Sequence, residues 1–203
     1  ECARENLIKS GFVELKENEN WDNIPKQFFV VRSEETIIAF NINDFDSSLI
    51  FATNLDYPCF RVKQYSGLFK DNTEELNIQC YGHAMWFTWM DRDLSIAGKV
   101  IINDQNTKKQ IIKNIHIHTP ICTIPSLASH LKQINGFINL EENMRPVINF
   151  VNEENHQSSN LIQSPTLLSY ISKECNCNIS DIIDFDLHVI SAEEPSFIGI
   201  NDD

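Results

Sequence analysis

LIFATNLDYPCFRVK (residues 49–63) separates two textures in this chain. Its first four residues are apolar and, with Thr53, make a run short enough for a buried strand, 49–53, which Asn54-Leu55-Asp56 and then Pro58 bring to an end. A polar pair just past an apolar strand is where α/β proteins often carry functional groups. It is also ordinary turn chemistry, because Asn and Asp side chains bond to the nearby backbone. Spacing alone favours the turn.

Upstream, residues 2–10 read as a short amphipathic helix with Ala3, Leu7 and Ile8 on its apolar side and Gly11 as its stop. Residues 28–31 and 36–40 read as two strands of a hairpin joined by Arg32-Ser33-Glu34-Glu35. A third strand candidate covers 49–52. Downstream of Pro58 the pattern is alternating. Residues 60–65, 76–81, 99–102, 111–118 and 184–190 are strand candidates, giving a β-rich region of mostly antiparallel character. Two helices are expected there, one over 126–132 after Pro125 and one from Ser164-Pro165-Thr166 to about Cys175, with Leu167, Leu168 and Ile171 on one face. Between them, residues 135–160 are polar and rich in Asn and Glu and read as a long surface excursion.

The formal net charge is −13, from 29 acidic against 16 basic residues. That excess argues against nucleic acid, which calls for a basic face, and against anionic lipid. No apolar run reaches the roughly 18 residues of a membrane span. The chain opens Glu1-Cys2-Ala3-Arg4-Glu5 and shows no signal peptide, so Cys2, Cys59, Cys80, Cys122, Cys175 and Cys177 are expected as reduced thiols of a cytoplasmic protein. In that compartment Asn178-Ile179-Ser180 carries no glycan.

Four constellations carry chemistry. His116-Ile117-His118 sets two imidazoles on one strand face, a spacing that can serve a metal, although no third ligand lies nearby and a polar strand face is the preferred reading. Cys175-Asn176-Cys177 lacks the two-residue spacing of zinc and redox pairs and reads as a helix end. YGHAMWFTWMDRD (residues 81–93) is the densest segment and reads as a structural corner, with Arg92 neutralising Asp91 and Asp93. Asn54-x-Asp56 is the fourth.

Several stretches together carry a resemblance: SGFVELKENENW, FFVVRSEETIIAF, DYPCFRVK, YGHAMWFTWMDRDLSIAGKVI, IPSLASHL, SPTLLSYISKECNC and DIIDFDLHVISAEEPSFIG. In this order the chain resembles the aspartyl aminopeptidases, dinuclear-zinc exopeptidases that remove acidic residues from peptide N-termini. Trp-x-x-Trp-x-Asp-Arg-Asp-Leu is the most characteristic of these motifs.

The resemblance implies the N-terminal part of an α/β catalytic domain over 1–62 and an inserted β-rich dimerisation domain over 63–190. Residues 191–203 would begin a return to the catalytic fold. It implies assembly from dimers into dodecamers. It places Asn54 at the position of a zinc-ligand His, retains the motif's Asp at Asp56, and puts Tyr57 where Ser is usual. The family's bridging Asp, its Glu-Glu pair and its later ligands would lie beyond the position of Asp203. His130 matches a histidine that reaches a partner's active site, and Ser126 replaces the other histidine of that stretch. An amide oxygen supplies zinc with neither charge nor a basic nitrogen. The expectation is therefore a chain without metal of its own, catalytically inactive, with Asp56 and His130 vestigial, acting through homo-oligomerisation or as a subunit of a larger assembly. The alternative is part of an active zinc aminopeptidase completed by a C-terminal half.

Overall fold

Two sheets form, one in each of two units, Glu1–Tyr57 and Pro58–Asp203. The computed structural model describes residues 2–33, 35–43, 47–128, 130, 138–151 and 163–199.

In the first unit, helix α1 (Cys2–Lys9) stops at Gly11, whose φ of 86° is open to a residue without a Cβ. Arg4 pairs with Glu14 on the short strand β1 (Val13–Glu14). β1 runs parallel to β2 (Gln27–Arg32), which pairs antiparallel with β3 (Thr36–Asn41) in the expected hairpin. Phe28, Phe29 and Val30 are buried. Phe28 stacks on Phe40 at 4.6 Å between ring centres and takes the edge of Trp21 at 5.8 Å.

The strand expected at 49–53 does not form. Residues 47–54 have no strand pairing, and Leu49, Ile50 and Phe51 are 80%, 82% and 87% exposed. An apolar run becomes a strand only when a neighbour takes up its N–H and C=O groups. The described sheet of its own unit, ordered β1-β2-β3, provides no such neighbour.

The second unit is a six-stranded antiparallel sheet built from β4 (Cys59–Lys70), β5 (Thr73–Tyr81), β6 (Leu94–Asp104), β7 (Lys109–His116), β8 (Val147–Phe150) and β9 (Ile182–Ser191). Their order across the sheet is β7-β6-β9-β4-β5-β8. The last strand thus lies in the middle. Leu187 and Val189 of β9 join Phe60, Val62, Leu76, Ile78, Leu94, Ile96 and Val100 in the core. Residues 58–62 belong to this unit, and Phe60 is fully buried in it.

One face of the sheet carries helix α3 (Pro165–Cys175), which buries Leu167, Ile171 and Cys175, spaced four apart. Leu168, expected on that face, is only partly buried. Ser164 caps α3 by accepting the N–H of Leu167, and Asn176 closes it in the left-handed conformation.

Two further expectations change. Residues 126–128 are not helical; Ser129 and residues 131–132 lie outside the described residues. The amide of Ser126 donates to Asp91 and Thr123 bridges Val147, so this stretch is drawn along the sheet. The polar stretch 135–160 is not wholly an excursion. Residues 138–151 hold a one-turn helix α2 (Leu140–Asn143), a fully buried Met144 and the edge strand β8, whereas 135–137 and 152–160 lie outside the described residues. The few apolar residues of that stretch, among them Met144, Val147 and Ile148, give it a side to bury.

Gly98 of β6 faces Leu187 of β9, and a Cβ there would lie 2.2 Å from the carbonyl oxygen of Asp186. Gly98→Ala should lower stability by about 1–3 kcal/mol, read as an earlier urea midpoint, because the clash is with backbone that cannot rotate away.

Candidate functional site

Asn54 and Asp56 sit on the irregular segment that follows the exposed 49–53 run. The Asn54 amide nitrogen donates to Asp56 Oδ1 at 3.1 Å, and both residues are exposed. The pair is therefore partly satisfied within itself. His130, in the second unit, lies exposed in a turn.

The segment 81–93 is a structural corner. Trp86–Trp89 forms one 3₁₀ turn, which brings both indoles onto Phe60, at 5.1 Å for Trp86 and 4.8 Å edge-on for Trp89. Arg92 does not neutralise Asp91 and Asp93 as expected; its guanidinium pairs with Glu193 at 3.0 Å. Asp91 is instead engaged by Ser126. It accepts the Ser126 amide at 2.9 Å and the Ser126 hydroxyl, and these two bonds hold its carboxyl below the usual 3.8. At φ 58° Asp91 is left-handed, a conformation Asp tolerates better than most residues.

Cys175-Asn176-Cys177 closes α3. The Asn176 and Cys177 amides donate to Lys173 and Ser172 carbonyls at 3.2 Å and 3.1 Å, and Lys113 reaches the Cys175 carbonyl at 2.6 Å. Burial raises both thiols, so they stay protonated and poor as nucleophiles or ligands. Burial pushes Cys122 further, up to about 12. Cys2, Cys80, Cys122, Cys175 and Cys177 are free thiols.

A buried polar cluster escaped the sequence reading. Glu74 is 1% exposed and accepts the Ser164 hydroxyl, the Thr166 amide at 3.2 Å and the Thr166 hydroxyl at the start of α3. Ser66, also buried, accepts the Ser164 amide at 2.9 Å and donates to Gln163 at 2.7 Å. A carboxylate at a helix N-terminus is favoured by the free amides there. The signal was the phase of β5, since Glu74 shares the parity of the buried Leu76 and Ile78.

His116 and His118 are exposed on either side of the inward Ile117, with ring centres 4.2 Å apart. Among the described residues, no three His, Cys, Asp or Glu side chains converge closely enough to hold a metal ion. No helix among them is long and apolar enough to cross a membrane.

The profile of one protein family, described as "Aminopeptidase I zinc metalloprotease (M18)", matches residues 1–203. The chain belongs to the M18 aminopeptidase family. It is 31% identical over 222 residues to an aspartyl aminopeptidase of Caenorhabditis elegans, a match covering 99% of this chain and 47% of that protein. Among solved structures it is similar to a cryo-EM structure of the Ape4 and Nbr1 complex, with TM-score 0.79 and 30% identity over 98% of this chain and 42% of that one. It also matches Chaetomium thermophilum mApe1, with TM-score 0.78 and 27% identity over 99% of this chain and 48% of that one. The chain thus spans about half the length of the relatives it matches, and its fold is that of a partial M18 aminopeptidase.

The Asp91–Ser126 bonds give a pH signature. Because the folded carboxyl titrates lower than the unfolded one, its contribution is present above the unfolded value and lost as pH falls through the folded value. Between pH 5 and pH 2, to order of magnitude the carboxylate window, the unsubstituted protein should lose stability more steeply than Asp91→Asn in urea titrations. Asp104, also lowered by its bond to Thr107, acts equally in both proteins and cancels from the difference.

Proposed function

We propose that this chain is a catalytically incompetent member, or portion, of the M18 family whose remaining capacity is association. The observation that supports this best is the donor set after the 49–53 run. The family is a zinc metalloprotease family, and the resemblance puts Asn54 where a zinc-ligand imidazole belongs. Here Asn54 offers an amide whose nitrogen donates to the carboxylate of Asp56. Among the described residues, an amide oxygen and the carboxylate of Asp56 do not fit a site that must hold two zinc ions. Asp56 and His130 are then vestiges of the family's catalytic positions.

The β-rich unit Pro58–Asp203 is the natural carrier of association. In the first unit Leu49, Ile50, Phe51 and Leu55, and in the second Phe197 and Ile198, expose apolar side chains outside any strand. Runs of this kind are covered by another polypeptide in stable proteins. A homo-oligomer, dimeric or larger, or a place in a bigger assembly, fits them.

The second reading is part of an active zinc aminopeptidase releasing N-terminal Asp or Glu, completed by a C-terminal half. The same exposed run, 49–53, supports it, because a partner strand would turn that run into the strand its sequence predicts.

Elemental analysis of the purified chain should find zinc well below stoichiometry, with no release of N-terminal Asp or Glu from peptides. About two zinc ions per chain would overturn the proposal. Light scattering should give a mass above that of one chain. A monomer whose residues 47–57 and 193–199 resist hydrogen exchange would contradict the association reading. If the second reading holds, Asn54→His should raise peptidase activity once the completing half is supplied.

A further inference from the structure

The geometry points to a two-histidine chelate at His116 and His118 that takes a divalent transition-metal ion of the nickel or copper class. It is independent of the aminopeptidase reading and uses only the second unit.

The backbone fixes the pair. Ile115 and Ile117 are 6% and 5% exposed and point into the core, so strand alternation sends His116 and His118 outward on one face. Positions two apart on a strand are about 6.5 Å apart along it, a span two imidazoles can close. The segment is held at several points. His116 faces Ala97 across the β6–β7 ladder, and the Ile117 amide donates to the Ile96 carbonyl at 3.0 Å. Fully buried Ser95 donates its hydroxyl to the carbonyls of Ile117 and of Thr119, the latter at 2.9 Å. A buried serine that locks both carbonyls flanking His118 leaves the two side chains little to do but rotate on a fixed base.

The ring separation is close to that of a chelate. The centres lie 4.2 Å apart with the planes tilted by 43°. With metal–nitrogen bonds of about 2 Å, two imidazoles sharing one ion at about 90–110° hold their centres roughly 4.5–5.2 Å apart. An opening of about 1 Å or less, within rotamer play, converts one arrangement to the other. Ala97 keeps the neighbouring surface low, and both imidazoles are open to solvent, which supplies the remaining ligands. Two neutral nitrogens without a thiolate or carboxylate select the imidazole-preferring late transition metals over magnesium or calcium. The chain's net charge of −13 favours cations in general.

His188 is the internal control. It also pairs with Ala97, from the β9 side, so it stands two strands away from His116 in the same row. Nickel chloride titrated into the full chain, followed by nuclear magnetic resonance, should broaden the amide signals around His116, Ile117 and His118 first. His116→Ala and His118→Ala should each weaken binding at least tenfold, and His188→Ala should leave it unchanged. These positions are on the sheet surface, so circular dichroism should show all three variants folded. Broadening centred on the cysteines or on His130, or binding that survives loss of either histidine of the pair, would overturn the assignment. So would the absence of selective broadening at a tenfold excess of nickel.

Discussion

Strand β9 holds the second unit together. It is the last strand in sequence, and it pairs with β6 on one side and β4 on the other. Without it the sheet would separate into β6-β7 and β4-β5-β8, and the core that spans both halves would open. Such a closure must wait until more than a hundred residues of chain have been brought back on themselves, the kind of long-range contact that slows folding. Its fit depends on Gly98, where the β9 backbone comes too close for any side chain.

The polar cluster around Glu74 complements this closure. It sits where β4 and β5 shift register between Val62 and Gly67, and it ties the bulged strands to the first turn of α3. Gly67 is in contact with the Ser164 backbone, with room for a Cβ only at about the limit of contact, 3.0 Å. A carboxylate buried among three donors is costly to leave half-satisfied, so the cluster specifies where α3 begins as well as stabilising it. The helix then returns its C-terminus to β7 through Lys113, so that α3 bridges bulge and sheet edge. The same logic governs the corner at 81–93. Its indoles pack on the core, and Asp91 and Arg92 are used by Ser126 and Glu193, which leaves that segment a scaffold.

Much of the fold was legible in the residues. The hairpin of β2 and β3, the alternation of β4, β5, β7 and β9, and the Ser164-Pro165 start of α3 all follow local periodicity and capping chemistry. Two misreadings share one cause. Residues 49–53 read as a strand, yet a strand is a relation between two segments, and no described neighbour of its own unit pairs with it. Residues 147–150 read as loop because their surroundings are polar, yet β5 offered an edge and Thr123 a bridge. In each case the deciding partner was distant in sequence.

The candidate sites divide in the same way. The sequence alone determined the family, the identity of the side chains at 54 and 56, and the outward parity of His116 and His118, because these depend on residue type and short spacing. Only the tertiary structure decided that Arg92 serves Glu193 rather than its neighbours, that Glu74 is buried, that Cys175 and Cys177 are helix-closing thiols, and that two imidazoles stand 4.2 Å apart. Those outcomes turn on which strands and loops approach in space, and a side chain's partner across a sheet cannot be read from its neighbours along the chain.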